Sequence, residues 1–336
     1  MMDRRASSKH IKRLVAICCA AFSIMIPGVI APAQQQSTRD SQRSGQGVSA
    51  RTNSGNDGQV IVNTDLVTLT VSVVDAHGHY VPGLSKKNFT ITDNKAPQEI
   101  TFFSDADLPV SVAIVFDVSG SMSGKKIEQA KEALSTFIQT SHPQDEYFLI
   151  GFNSDPELLI DGSRDGDAVI RKLSFVEPHG STALYDASYL ALERVMRGAH
   201  MKRAILIISD GQDNNSRYKF SQLRRAVMES DVIMYAIGIQ GGVGGVLAMY
   251  GSLLLEELVS VSGGRVFFPR KSSGMNEALE QIALELRHQY SIGYRPSNFT
   301  ADGKWHRVRV KVAPPPGLNR VFVRNREGYY AVGSLR

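Results

Sequence analysis

The stretch Val110-Ser111-Val112-Ala113-Ile114-Val115-Phe116-Asp117-Val118-Ser119-Gly120-Ser121-Met122 decides the fold. A mostly apolar run of strand length ends at an aspartate. Two hydroxyls follow, Ser119 and Ser121, with Gly120 between them where a tight backbone is needed. Oxygen-only donors of this kind suit a hard divalent cation such as magnesium.

Outward from this run, apolar strands alternate with amphipathic helices. Strands are predicted over 110–116, 146–152, 203–209 and 232–239, with a short edge strand over 265–268. Helices are predicted over 125–139, 165–173, 183–197, 220–229, 251–261 and 276–287. That order predicts an α/β fold, a doubly wound and mainly parallel sheet covered by helices on both faces. Ligands in such sheets bind at the carboxyl ends of strands, and Asp117 and Asp210 stand at two of those ends.

The flanking pieces read differently. In 60–108, Val67, Leu69, Val71 and Val73 alternate with Thr68, Thr70 and Ser72, and further strands are predicted over 89–92 and 100–103. Asp75-Ala76-His77-Gly78, Pro82-Gly83 and Asp93-Asn94 read as turns. In 288–336, strands are predicted over 290–294, 305–312 and 321–324, with Gly328-Tyr329-Tyr330 following the last. Each flank offers about three strands, and a lone meander of that size is marginal in water. The two are therefore expected to join in one antiparallel sandwich, with the α/β domain of 109–287 inserted between them.

The chain has 336 residues, enough for two domains, and an ordinary apolar fraction of 42%. Its pI of 9.1 suggests nucleic acid at first sight. The basicity, however, is concentrated at the start, where Arg4, Arg5, Lys9, Lys12 and Arg13 face only Asp3. Without residues 1–33 the net charge falls from +5 to +1, and no nucleic-acid partner is expected. That segment has the form of an export signal, with a basic start, an apolar stretch and Ala31-Pro32-Ala33 before Gln34. An uncleaved anchor is the alternative, although the run is broken by Pro27 and shorter than the roughly 20 residues of a membrane span. Both cysteines, Cys18 and Cys19, lie inside it, so the mature chain carries no thiol chemistry. Residues 34–59 are rich in Gln, Ser, Gly and Asn and read as a disordered tether. The expected location is periplasmic or extracellular.

Three separated segments supply oxygen donors. The first holds Asp117, Ser119 and Ser121, and the second is Gly180-Ser181-Thr182-Ala183-Leu184-Tyr185-Asp186, with Thr182 at a helix start. The third is Ser209-Asp210-Gly211-Gln212-Asp213, after the apolar run 204–208. Together they resemble the von Willebrand factor type A domain and its metal-ion-dependent adhesion site, in one register over roughly 109–287. The resemblance implies that Ser119, Ser121 and Thr182 bind the metal by their hydroxyls, with Asp117 and Asp210 holding it largely through water. It also implies an open coordination position for an acidic oxygen of a protein or surface partner. The ion implied is magnesium, with manganese and calcium as alternatives.

The whole chain after the tether also resembles an exported bacterial subfamily of these proteins. That resemblance rests on Val81-Pro82-Gly83-Leu84, Asn88-Phe89, Ile100-Thr101-Phe102-Phe103, Tyr290-Ser291-Ile292-Gly293-Tyr294 and Gly328-Tyr329-Tyr330.

Other motifs lead elsewhere or nowhere. The run 120–126 is one residue short of a phosphate loop and has Lys126 where Ser or Thr is required. There is no Gly-x-Ser-x-Gly elbow and no His-Asp pair in a triad order, so no enzyme is expected. A metal-dependent hydrolase ranks below a scaffold in an envelope complex, which is the main alternative to adhesion. Asp186 reads either as an acceptor behind a metal ligand or as a solvated, capping acid, and Asp213 as a loop acid. His77 and His79 read as a surface turn for want of further ligands, and 241–245 as a mobile loop. Oligomeric state is not encoded in any of these motifs.

Overall fold

The computed structural model describes residues 66–239, 246–297 and 299–331. The signal segment 1–33, the tether 34–59 and the glycine run 241–245 lie outside the described residues. Elements follow the order β1 (Val67–Val74), β2 (Phe89–Asp93), β3 (Ala96–Gln98), β4 (Ile100–Ser104), β5 (Val110–Asp117), α1 (Lys125–Thr140), β6 (Glu146–Phe152) and β7 (Pro156–Ser163). Next come α2 (Gly166–Ser174), α3 (Leu184–Val195), β8 (Lys202–Ser209), α4 (Phe220–Glu229), β9 (Ile233–Gly238), α5 (Val246–Ser262), β10 (Arg265–Phe267) and α6 (Ser272–Arg287). The chain closes with β11 (Tyr290–Tyr294), β12 (Trp305–Val312), β13 (Phe322–Arg324) and β14 (Gly328–Tyr330).

The central sheet runs β10-β9-β8-β5-β6-β7. All its pairings are parallel except β6 with β7. Strand β5 is buried along its whole length, and its residues alternate between two cores. Val112, Ile114 and Phe116 face α1, α2 and α6, whereas Ala113 and Val115 face α3, α4 and α5. A strand buried on both faces needs apolar residues along nearly its whole length, which is why 110–116 is apolar except for Ser111, whose hydroxyl donates to Glu146 (2.6 Å).

The sheet contains one strand that sequence reading misses. Strand β7 folds back on β6 as an antiparallel edge, with register shifts near Leu149. Its half-exposed residues and its Pro156, Asp161 and Gly162 hide the strand signal.

The flanks form two antiparallel sheets, ordered β13-β1-β11-β4 and β14-β12-β2-β3. Each mixes strands from both ends of the chain, as in Val67 opposite Tyr294 and Ile91 opposite Val310. Leu69, Val71, Ile91, Tyr290, Ile292 and Val308 share one core, so the pair is a sandwich. Gly328-Tyr329-Tyr330 is itself a strand against β12. In that core the buried Asp93 accepts hydrogen bonds from Tyr294 Oη (3.0 Å) and Tyr329 Oη (2.8 Å), and lies 3.0 Å from His306 Nδ1.

Sandwich and central sheet meet through polar contacts. Glu285 on α6 accepts two hydrogen bonds from Arg324 on β13 (2.5 and 2.6 Å) and one from Tyr235 Oη on β9 (2.8 Å). Arg287 and Asp107 pair at 2.6 Å where the chain enters and leaves the α/β domain.

Candidate functional site

The central sheet has its switch point between β5 and β8. From β5 the chain passes through α1 to β6 on one side, and it later returns through α3 to β8 on the other. A crevice opens at the carboxyl ends of such strands. Phe116 pairs with Ile208, which sets Asp117 beside Ser209 and Asp210. Local strand chemistry and sheet topology together thus gather residues far apart in the chain.

Asp117 is fully buried, and both its carboxylate oxygens are engaged. The Ser119 amide donates to Oδ1 (2.9 Å) and the Ser209 hydroxyl to Oδ2 (2.6 Å). Burial pushes its carboxyl above the ordinary range, the Ser119 and Ser209 hydrogen bonds oppose that, and the Asp210 charge adds to it. The Ser119 and Ser121 hydroxyls lie 3.0 Å apart, the first buried and the second exposed. A short 3-10 turn over Gly120–Met122 sets that spacing. Asp210 is half-buried, and its Oδ1 accepts from the Gln212 amide at 3.3 Å.

Thr182 is buried, and its backbone is clamped by Asn214. Its amide donates to Asn214 Oδ1 (2.9 Å), and its carbonyl accepts from the Asn214 amide (3.0 Å). Among the described residues its hydroxyl has no hydrogen-bond partner. The loops are stitched to one another by backbone bonds: Gly120 to Gly180 (3.2 Å), His179 to Val118 (2.9 Å) and Ala183 to Asn153 (2.7 Å). His179 Nδ1 lies 2.9 Å from the Glu177 carbonyl and Nε2 2.9 Å from Asn153 Nδ2, so the ring braces this rim. Beside it, a cavity of about 280 Å³ lies between Val118, Phe152, Asn153, Lys172, Phe175 and His179.

Two further acids have other work. Asp186 is buried and accepts from the Arg217 amide (3.0 Å), the Tyr218 amide (2.9 Å) and Arg217 Nε (3.0 Å), so it anchors the 217–218 loop and is not a solvated acid. Asp213 accepts from the Tyr185 amide (3.0 Å) and the Ser216 hydroxyl (2.6 Å) at the start of α3, a loop acid as its position suggests. Sequence reading leaves out Asn214 and Asn153, and it places Ser209 in the third donor segment without giving it the role of holding Asp117. The one available signal is Ser209, a lone hydroxyl closing an apolar run.

The donor set suits a hard cation. Two carboxylates stand near one another, with the Asp210 charge acting on Asp117, and Lys126 Nζ donates to the Ser121 carbonyl at 2.9 Å. The Ser119 and Ser121 hydroxyls add to them, so the donors brought together here are all oxygen.

Residues 112–212 match the von Willebrand factor type A domain family. Inter-alpha-trypsin inhibitor heavy chain 4 of mouse is 31% identical over 124 residues, which are 32% of this chain and 13% of that one. An uncharacterized protein of Synechocystis is 25% identical over 114 residues, 33% of this chain and 27% of the other. The chain thus spans less than a third of the length of these relatives. Among solved structures, a von Willebrand factor type A protein from Catenulispora acidiphila superposes with a TM-score of 0.47 at 12% identity, covering 81% of this chain and 76% of that one. BatB from Bacteroides thetaiotaomicron gives 0.44 at 19% identity, covering 52% and 98%. Over residues 112–212, then, the chain matches a von Willebrand factor type A domain.

Proposed function

We propose that this chain is an exported, non-enzymatic docking module that binds a protein or surface partner through a divalent cation held by Asp117, Ser119, Ser121, Thr182 and Asp210. The observation that carries this reading is the pair of Ser119 and Ser121 hydroxyls, 3.0 Å apart, beside the buried Asp117 at the switch point of the sheet. Asp117, Ser119, Ser121, Thr182 and Asp210 would hold the ion, which would supply a Lewis-acidic centre, and their neutral hydroxyls would leave it electropositive enough to attract a carboxylate. Ser209 and the Ser119 amide keep Asp117 oriented, and Asn214 holds Thr182 against the rim.

Family membership supports an interaction role, since these domains serve chiefly in adhesion and protein–protein contact. The basic start and apolar stretch of residues 1–33 support export. No described helix is long and apolar enough to cross a membrane.

The test uses the full chain and its Asp117→Ala variant as bait on envelope extract, with magnesium or with chelator. Capture of the same partner that needs both magnesium and Asp117 is expected. Capture that survives chelation and the substitution overturns the metal-docking reading in favour of a scaffold.

A further inference from the structure

We propose that the turn Asp75-Ala76-His77-Gly78-His79 binds a nitrogen-preferring divalent transition metal, with zinc as the probe, through the Asp75 carboxylate and the two imidazoles. By sequence alone the two histidines lack a third ligand. In the fold, Asp75 is both the residue that shapes the turn and the missing donor. Its Oδ1 accepts the His77 amide (2.8 Å) and the His79 amide (2.9 Å), which fixes the carboxylate plane. Oδ2 then faces the imidazoles, 3.8 Å from His77 Nδ1 and 3.5 Å from His79 Nδ1. One donor atom from each residue lies within 4.8 Å of the other two. Metal–ligand bonds of about 2.0–2.2 Å place two donors on one ion roughly 3–3.5 Å apart, so small side-chain rotations close the set.

The backbone is already in place for this. Asp75 N donates to His79 O (2.8 Å), Gly78 N donates to Asp75 O (3.1 Å), and Val74 bridges to Tyr80 across the turn. Gly78 takes a φ of +85°, and a Cβ there would meet the Arg265 guanidinium at 3.1 Å, so the position is held for glycine. The imidazole side chains are 80% and 72% exposed, free to turn toward an ion that keeps open positions for water or another ligand. Two imidazoles and one carboxylate favour zinc, copper or nickel over magnesium. The turn follows β1 of the sandwich, which the chain leaves at Asp107 and rejoins past Arg287, by the amino end of β5, whereas Asp117 closes the carboxyl end of that strand.

The test is calorimetric titration of zinc chloride into the full chain without a histidine tag, in saturating magnesium. One equivalent is expected to bind the wild type and Asp117→Ala alike. Either His77→Ala or His79→Ala is expected to weaken binding at least about tenfold. Both rings are exposed, so the metal-free variants should unfold at the wild-type temperature. Zinc affinity unchanged in both histidine variants, zinc uptake that disappears only in Asp117→Ala, or no saturable uptake by the wild type overturns the proposal.

Discussion

Gly251→Ala offers a test in which two physical effects predict opposite signs. Gly251 lies inside α5, where alanine is the better helix former by about 1 kcal/mol. Propensity alone therefore predicts a more stable protein. The packing predicts the reverse. A Cβ on Gly251 would stand 2.7 Å from Gly211 O, 2.8 Å from Gly211 C and 3.2 Å from Gln212 N. These are backbone atoms of the loop that follows Asp210, so no side chain can rotate away. Gly211 itself has a φ of +79° and cannot readily rearrange. Overpacking of this kind costs about 1–3 kcal/mol, and two backbone contacts under van der Waals distance place it near the top of that range. Less the propensity gain, the net loss is about 2 kcal/mol, which lowers the midpoint by about 4–8 °C for a domain of this size.

Gly274→Ala is the internal control. It also lies in a helix, α6, but its Cβ would meet Pro269 Cβ at 3.5 Å and Pro269 Cα at 3.9 Å, both ordinary contacts. That variant should gain up to about 1 kcal/mol. Thermal and urea unfolding of the three proteins decides the matter. A Gly251→Ala protein as stable as wild type, alongside a stabilised Gly274→Ala, would refute the close approach of α5 to the Asp210 loop.

Three further predictions follow from buried polar groups. Ser209→Ala removes the 2.6 Å hydrogen bond to Asp117 and leaves a buried carboxylate oxygen unpaired, at a cost of about 1.5–3 kcal/mol measured by urea unfolding. Glu285→Gln breaks the buried pair with Arg324 that joins α6 to the sandwich and should cost about 3–5 kcal/mol, read as a lowered denaturation midpoint; a midpoint shift close to zero would count against that junction. Burial raises the Asp186 carboxyl, but the Tyr218 and Arg217 hydrogen bonds outweigh it and hold it below 3.8, so its contribution is full above that pH and is lost as pH falls through the lower folded value. Asp186→Asn should therefore lose about 1.5–3 kcal/mol at neutral pH and show a shallower acid limb than wild type in thermal melts across the acid range.

The α/β part of the fold is legible because its signals are local. A mostly apolar run such as 110–116 can only be a strand covered on both faces, and helices of 3.6-residue period between such runs require a parallel sheet. The acids and hydroxyls at 117–121, 182 and 210 stand at strand or helix ends, so their residue types and order can be read off the chain. Strand β7 escapes because it is a half-exposed edge, where polar residues, Pro156 and Gly162 are tolerated and periodicity is weak. Helix α5 begins at Val246, several residues earlier than periodicity indicates, because Gly251 reads as a helix start although it packs within the helix.

By itself the sequence determined most element types, the mainly parallel central sheet and the order in which acids and hydroxyls follow its strands, since each depends on neighbours within a turn or two. Tertiary structure alone decided that Val67 pairs with Tyr294, that Ser209 holds Asp117 and Asn214 holds Thr182, and that Asp75 turns its free oxygen to His77 and His79. Antiparallel partners and hydrogen-bond acceptors can be chosen across more than two hundred residues. The choice is made by which buried polar groups and apolar faces are satisfied together, a condition that no local window contains.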